Sequence, residues 1–238
     1  MKKQKVEFKV KGETLRGDFY IPDIKLPPAV IIFHGSGSTG DSLIFLADKL
    51  AQNGIFAFHF NFRGCGKSDG NFLDQTINDA LLDARTAVKL LLEQEIDKDR
   101  IGICGSSFGG DIATLLLPEF TIKSLVLKAP AALNFPLDKN ILIKGGIEKE
   151  WEYLSNIRNW ENAVNFKNLA EFKGNLLIIK AGKDDNVPSN MVDKFYSSAV
   201  KAEDKKMEVV DGADHRLSNP KWVREFTDLA LAWFMNKL

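Results

Sequence analysis

Ile101-Gly102-Ile103-Cys104-Gly105-Ser106-Ser107-Phe108-Gly109 joins an apolar run to a stretch of helix formers, with a glycine on each side of a serine pair. The run suits a strand covered on both faces inside a parallel sheet. A Gly-x-Ser-x-Gly pentapeptide at its end predicts a sharp strand-to-helix turn. Glycines at 105 and 109 leave room for the bend, so Ser107 would stand at its apex with the hydroxyl exposed above the sheet. The stretch predicts an α/β architecture and a candidate nucleophile together.

Outward from this turn, strand and helix signals alternate. Val6, Phe8 and Val10 alternate with polar residues, Lys11-Gly12-Glu13 supplies a turn, and Leu15 to Ile21 resumes the extended pattern, which predicts an antiparallel hairpin. Ala29–Phe33 and Ile55–Phe60 read as doubly covered strands, with Leu43, Leu46, Ala47 and Leu50 at helical spacing between them. Ile77, Leu81, Ala84, Val88 and Leu91 form a helical stripe behind a Thr76-x-x-Asp79 capping signal. Further strands are predicted at Ser124–Leu127, from Asn175 onward and at Met207–Val210. A last helix begins at Asn219-Pro220, with Val223, Phe226, Ala230 and Trp233 on one stripe. The segment from about 131 to 173 breaks the alternation. It is polar and aromatic, without a clear buried strand, and reads as an inserted cap on a single domain spanning 1–238. Its aromatic residues could line an apolar pocket or bury the cap against the core.

Composition narrows the function. Lys plus Arg and Asp plus Glu both number 32, so no long-range field favours nucleic acid or an anionic membrane. No apolar stretch approaches the roughly 20 residues of a membrane span, and the N-terminus lacks a signal-peptide core, so cytoplasmic residence is expected. Cys65 and Cys104 have no metal or redox spacing, and with three histidines neither a metal site nor a cofactor is expected. Gly64-Cys65-Gly66-Lys67-Ser68 resembles the tail of a phosphate-binding loop, but that motif needs glycine where Asn61 stands. Arg63 and Lys67 are expected to hold this loop by ion pairs.

A serine hydroxyl needs a base to take its proton and a third group to orient that base. His215 lies in a late loop, whereas His34 ends a strand and His59 sits within one, so His215 is the expected base. The orienting acid is Asp184 or Asp185, in the loop after Leu176–Ile179. Asp214 and Ser106 read as structural neighbours. For an oxyanion, the expected donors are the Phe108 N–H, just after the nucleophile, and an N–H of His34-Gly35-Ser36-Gly37, assigned to Ser36.

The chain resembles the α/β hydrolases, and more narrowly the small serine esterases that include cinnamoyl and feruloyl esterases and monoacylglycerol-lipase-like enzymes. The likeness rests on His34-Gly35, Phe60 to Gly70, Gly105 to Gly110, Asp184 to Pro188 and Gly212-Ala213-Asp214-His215. It implies a mostly parallel, eight-stranded sheet flanked by helices with a small cap inserted near Lys128 to Ala132. The family's Asp-x-x-Val-Pro pattern selects Asp184 as the acid. Many members carry histidine at the Ser106 position and aspartate at the Asn61 position. Gly-Ser-Ser-Phe-Gly-Gly is also similar to dienelactone-hydrolase-like and acyl-peptidase domains. The expected activity is hydrolysis of a small-molecule carboxylic ester of a small to medium acyl or aryl acid. Alternatives are a peptidase or thioesterase with the same triad, and a non-catalytic ligand-binding protein on this scaffold.

Overall fold

The computed structural model describes residues 1–133 and 147–238. Polar–apolar alternation sets β1 (Lys2–Val10) antiparallel to β2 (Glu13–Ile21). Lys11 and Gly12 both take positive φ (48° and 88°), the backbone twist that a two-residue hairpin requires. The apolar runs become β3 (Ala29–Phe33), β4 (Phe56–Phe60), β5 (Ile101–Ser106), β6 (Ser124–Lys128) and β7 (Asn175–Ala181), and β8 (Asp204–Val210) closes the edge. Strand order is β1-β2-β4-β3-β5-β6-β7-β8. β2 pairs antiparallel with both β1 and β4, and every other pair is parallel. This is the α/β-hydrolase fold.

Successive side chains of each strand enter opposite layers. Ile31, Phe33, Phe58 and Phe60 pack with α2 (Ile77–Leu92), α3 (Phe108–Leu116), α5 (Val164–Glu171) and α6 (Ser189–Ser198). Val30, Ile32 and Ala57 face the other way, against α1 (Asp41–Gln52) and α7 (Pro220–Lys237). Thr76 and Asp79 form a reciprocal capping box at the start of α2, and Asn219 caps α7 with Pro220 in its first turn. Each device satisfies N–H groups that the helix itself leaves open.

Because β3, β5, β6, β7 and β8 run parallel, the loops after them emerge at one end of the sheet. Those loops carry Ser36, Ser107, Asp184 and His215, and Lys128 ends β6 beside them. Of the segment 131–173 read as a cap, residues 134–146 lie outside the described residues. The remainder contains α4 (Ile147–Ser155), a short 3-10 turn at Ile157–Asn159, and α5. Trp160, Phe166 and Phe172 are buried in the core cluster, and Phe166 meets Phe195 of α6 edge-on at 5.1 Å. Asn165 of α5 donates to the Asp111 carboxylate (2.7 Å) of α3. These side chains therefore bury the segment against the core. Trp151 is the aromatic that reaches the cleft among the described residues. Among the described residues, no helix is long and apolar enough to cross a membrane.

Candidate active site

Ser107 joins β5 to α3 at φ 53°, ψ −116°, a conformation that costs an L-residue about 1–3 kcal/mol. Its surroundings hold it there. The Ser107 N–H donates to the Lys128 carbonyl (2.9 Å), and the Ser107 carbonyl accepts from Gly110 (2.9 Å) and Ala131 (3.2 Å). The flanking glycines answer to close approach. A Cβ at Gly105 would lie 2.5 Å from the Gly109 carbonyl oxygen, and one at Gly109 would lie 2.1 Å from that of Phe33.

Three distant side chains meet above this turn. The His215 Nδ1 stands 2.8 Å from Asp184 Oδ2, and its Nε2 stands 3.0 Å from the Ser107 Oγ. A carboxylate can only accept, so Nδ1 carries the proton and Nε2 is free to accept one from the serine. The other Asp184 oxygen accepts the N–H groups of Asn186 and Val187, both at 2.9 Å, which fixes the carboxylate. Asp185 is exposed. Asp214 accepts the Ser218 N–H (3.0 Å) and stabilises its own loop.

The electrostatics favour a neutral base beside an ionised acid. Burial pushes the Asp184 carboxyl up, but the His215 ring and the two backbone N–H groups outweigh it and hold the group below the ordinary carboxylate range. Burial pushes His215 down, the Asp184 contact opposes this, and the Lys128 and Arg216 cations add to it. The imidazole thus lies below its ordinary value and stays unprotonated at neutral pH.

Phe108 is the first residue of α3, where the helix supplies no acceptor for its N–H. The His34–Gly37 loop lies against the turn: a Cβ at Gly35 would be 3.5 Å from the Ser107 Cβ. His34 shapes this loop, its Nδ1 lying 2.8 Å from the Gly35 carbonyl while Nε2 accepts the Phe62 N–H at 3.0 Å. Ser36, Ser107 and His215 share a cleft of about 290 Å³, walled also by Trp151, Lys128 and Arg216.

Two findings depart from the sequence reading. Arg63 does clamp its loop, through Asp83, Asp79 and Glu13, but the Lys67 side chain makes no ion pair among the described residues; its carbonyl instead accepts Arg16 Nη1 at 2.6 Å. Lys128, read only as a strand end near the cap, is a buried cation within the cleft that donates to the His215 carbonyl. A lysine ending the apolar run Ser124–Leu127, at the end of the sheet where the loops converge, is the signal that could have marked it. Cys65 and Cys104 are free and buried. No cluster of metal-binding side chains occurs among the described residues.

Fold and geometry define an α/β hydrolase. Residues 26–147 match the family described as Serine aminopeptidase, S33, and the chain belongs to it. Two uncharacterised proteins of Mycobacterium tuberculosis are each 27% identical over 202 residues, covering 84% of this chain and 67% of theirs. Among solved structures, Est1E from Butyrivibrio proteoclasticus with ferulic acid bound aligns at 19% identity over 98% of each chain, with a TM-score of 0.79. The Pyrococcus furiosus esterase Pf2001 aligns at 22% identity over 99% of this chain and 93% of its own, with a TM-score of 0.73. The protein is a hydrolase.

Proposed function

We propose that this protein is a serine hydrolase of small carboxylic esters, acting through an acyl-enzyme on Ser107. The unbroken run of contacts from Asp184 through His215 to Ser107 carries this reading, because it ends on a hydroxyl lifted into the cleft. His215 Nε2 takes the Ser107 proton as Oγ attacks the ester carbonyl carbon, and the carbonyl oxygen gains the charge. The N–H groups of Phe108 and Ser36 would receive that oxyanion, each donor contributing about 3 kcal/mol. The imidazolium then protonates the departing alcohol, and water repeats the sequence to release the acid. Asp184 orients the ring and steadies its transient charge without itself accepting the proton.

The family's description favours a second reading, cleavage of an aminoacyl amide. Cleft composition argues for the ester: Lys128 and Arg216 on its wall would repel the α-ammonium that an aminopeptidase must hold. A cleft of about 290 Å³ is at the small end of ligand pockets and suits a short acyl group. Side-by-side kinetics on p-nitrophenyl esters of rising acyl length and on aminoacyl anilides test the choice. Short esters should be preferred, and Ser107→Ala should lose about 10⁶-fold in turnover. Anilide preference, or parental turnover in the alanine variant, would contradict the proposal.

A further inference from the structure

We infer that Lys128 is a positioning residue that couples the nucleophile to the base, holding the Ser107 turn through its backbone and the His215 loop through its side chain. The inference rests on the serine chemistry proposed above. Lys128 closes β6, in register between Ser106 of β5 and Ile179 of β7. Its carbonyl accepts the Ser107 N–H at 2.9 Å, and its Nζ donates to the main-chain carbonyl of His215. One residue therefore bonds to both members of the pair that must exchange a proton.

Fold stability gives no reason for a lysine here. An ammonium carries three donors, and at Lys128, only 5% exposed, one of them has a protein acceptor among the described residues. Taking such a charge out of water costs several kcal/mol, and an apolar side chain of similar volume commonly gives an equal or more stable fold. What the lysine supplies is alignment and charge. Tethering the His215 carbonyl restricts the loop, and a misplacement near 1 Å in such a constellation can cost about 100-fold in rate.

The groups facing the ammonium come from several elements: Asp184 after β7, Asp214 after β8 and Cys104 of β5, with His215 beside it and Arg216 acting on the same ring. Burial pushes the Lys128 ammonium down, against the pull of Asp184 and Asp214, to about 8. It is therefore charged at neutral pH. A cation there disfavours the imidazolium, so His215 remains a competent base to lower pH than it otherwise would.

Lys128→Met keeps the stem and removes the cation and its donor; Lys128→Arg keeps both. The three histidines can be followed by NMR titration without substrate, so this readout stands whether or not Ser107 turns over esters. In Lys128→Met the His215 ring should titrate at higher pH, with the melting temperature equal to or above the parental one. On esters, kcat should fall about 10- to 100-fold with little change in KM, and the acid limb of the kcat/KM profile should move to higher pH. Lys128→Arg should return that limb toward its parental position. An unmoved His215 titration with parental kcat in Lys128→Met would overturn the inference. Failure of that variant to fold would overturn it too, by assigning the ammonium to the fold instead of the site.

Discussion

Arg63 and Lys128 are both buried cations, and they are treated differently. The Arg63 guanidinium meets Asp83 at 2.6 Å, Asp79 at 3.3 Å and Glu13 at 3.2 Å, and the Arg63 backbone N–H also donates to Asp83 at 3.1 Å. It ties the loop after β4 to α2 and β2 with each partner supplying opposite charge. Lys128 has a single carbonyl acceptor and no ion pair among the described residues. A buried charge that is saturated with partners serves the fold, since losing one partner strands the others. Lys128, a buried charge short of partners beside the Ser107 turn, is the arrangement that the proposed positioning role requires.

The contrast breaks most sharply at the acid. Asp184→Asn should lower kcat about 10⁴-fold while the melting temperature changes little, and Asp185→Asn, one residue away, should keep parental kinetics. Equal losses in the two variants would show that the loop, and not the carboxylate facing His215, matters. Arg63→Ala should do the reverse: a loss of about 3–5 kcal/mol in urea unfolding, with kcat per folded molecule retained. If it instead lowered kcat without loss of stability, the division between the two cations would fail.

His59 sharpens the comparison as a buried group that avoids charge altogether. It is 4% exposed on β4, and its Nε2 has no hydrogen-bond partner among the described residues. Burial, with smaller electrostatic contributions from His34 and Lys3, pushes the imidazole down to about 3. Between that value and its ordinary range near 6.5, the unfolded chain binds a proton that the folded chain refuses. Stability is therefore full above about 6.5 and falls as pH drops through this window, by up to about 1.4 kcal/mol per unit. Denaturant titrations should show this slope in the parent and a flatter one in His59→Leu. Identical slopes would contradict the account.

Much of this was legible in the residues. The turn at Ser107 could be read because close backbone approach admits only glycine at 105 and 109, and the hairpin because its outer face meets water. The strand order β1-β2-β4-β3-β5-β6-β7-β8 was not readable from periodicity, since buried strands look alike; family resemblance implied only an eight-stranded, mostly parallel sheet. β8 starts at Asp204, earlier than the apolar run from Met207 suggests, because an edge strand carries charge without penalty. The aromatics of the 131–173 segment hid their role for a related reason: an aromatic stripe looks the same whether it faces a pocket or a core. Asp184 and Asp185 were separable only by resemblance, and Lys128 looked like an ordinary strand end because burial is a property of the fold.

The most direct test of the central claim is intact-mass and peptide mass spectrometry after treating folded protein with a fluorophosphonate. One covalent adduct is expected, on Ser107, lost in Ser107→Ala and slowed in His215→Ala. Absence of an adduct on folded protein, or its appearance on another side chain, would contradict it.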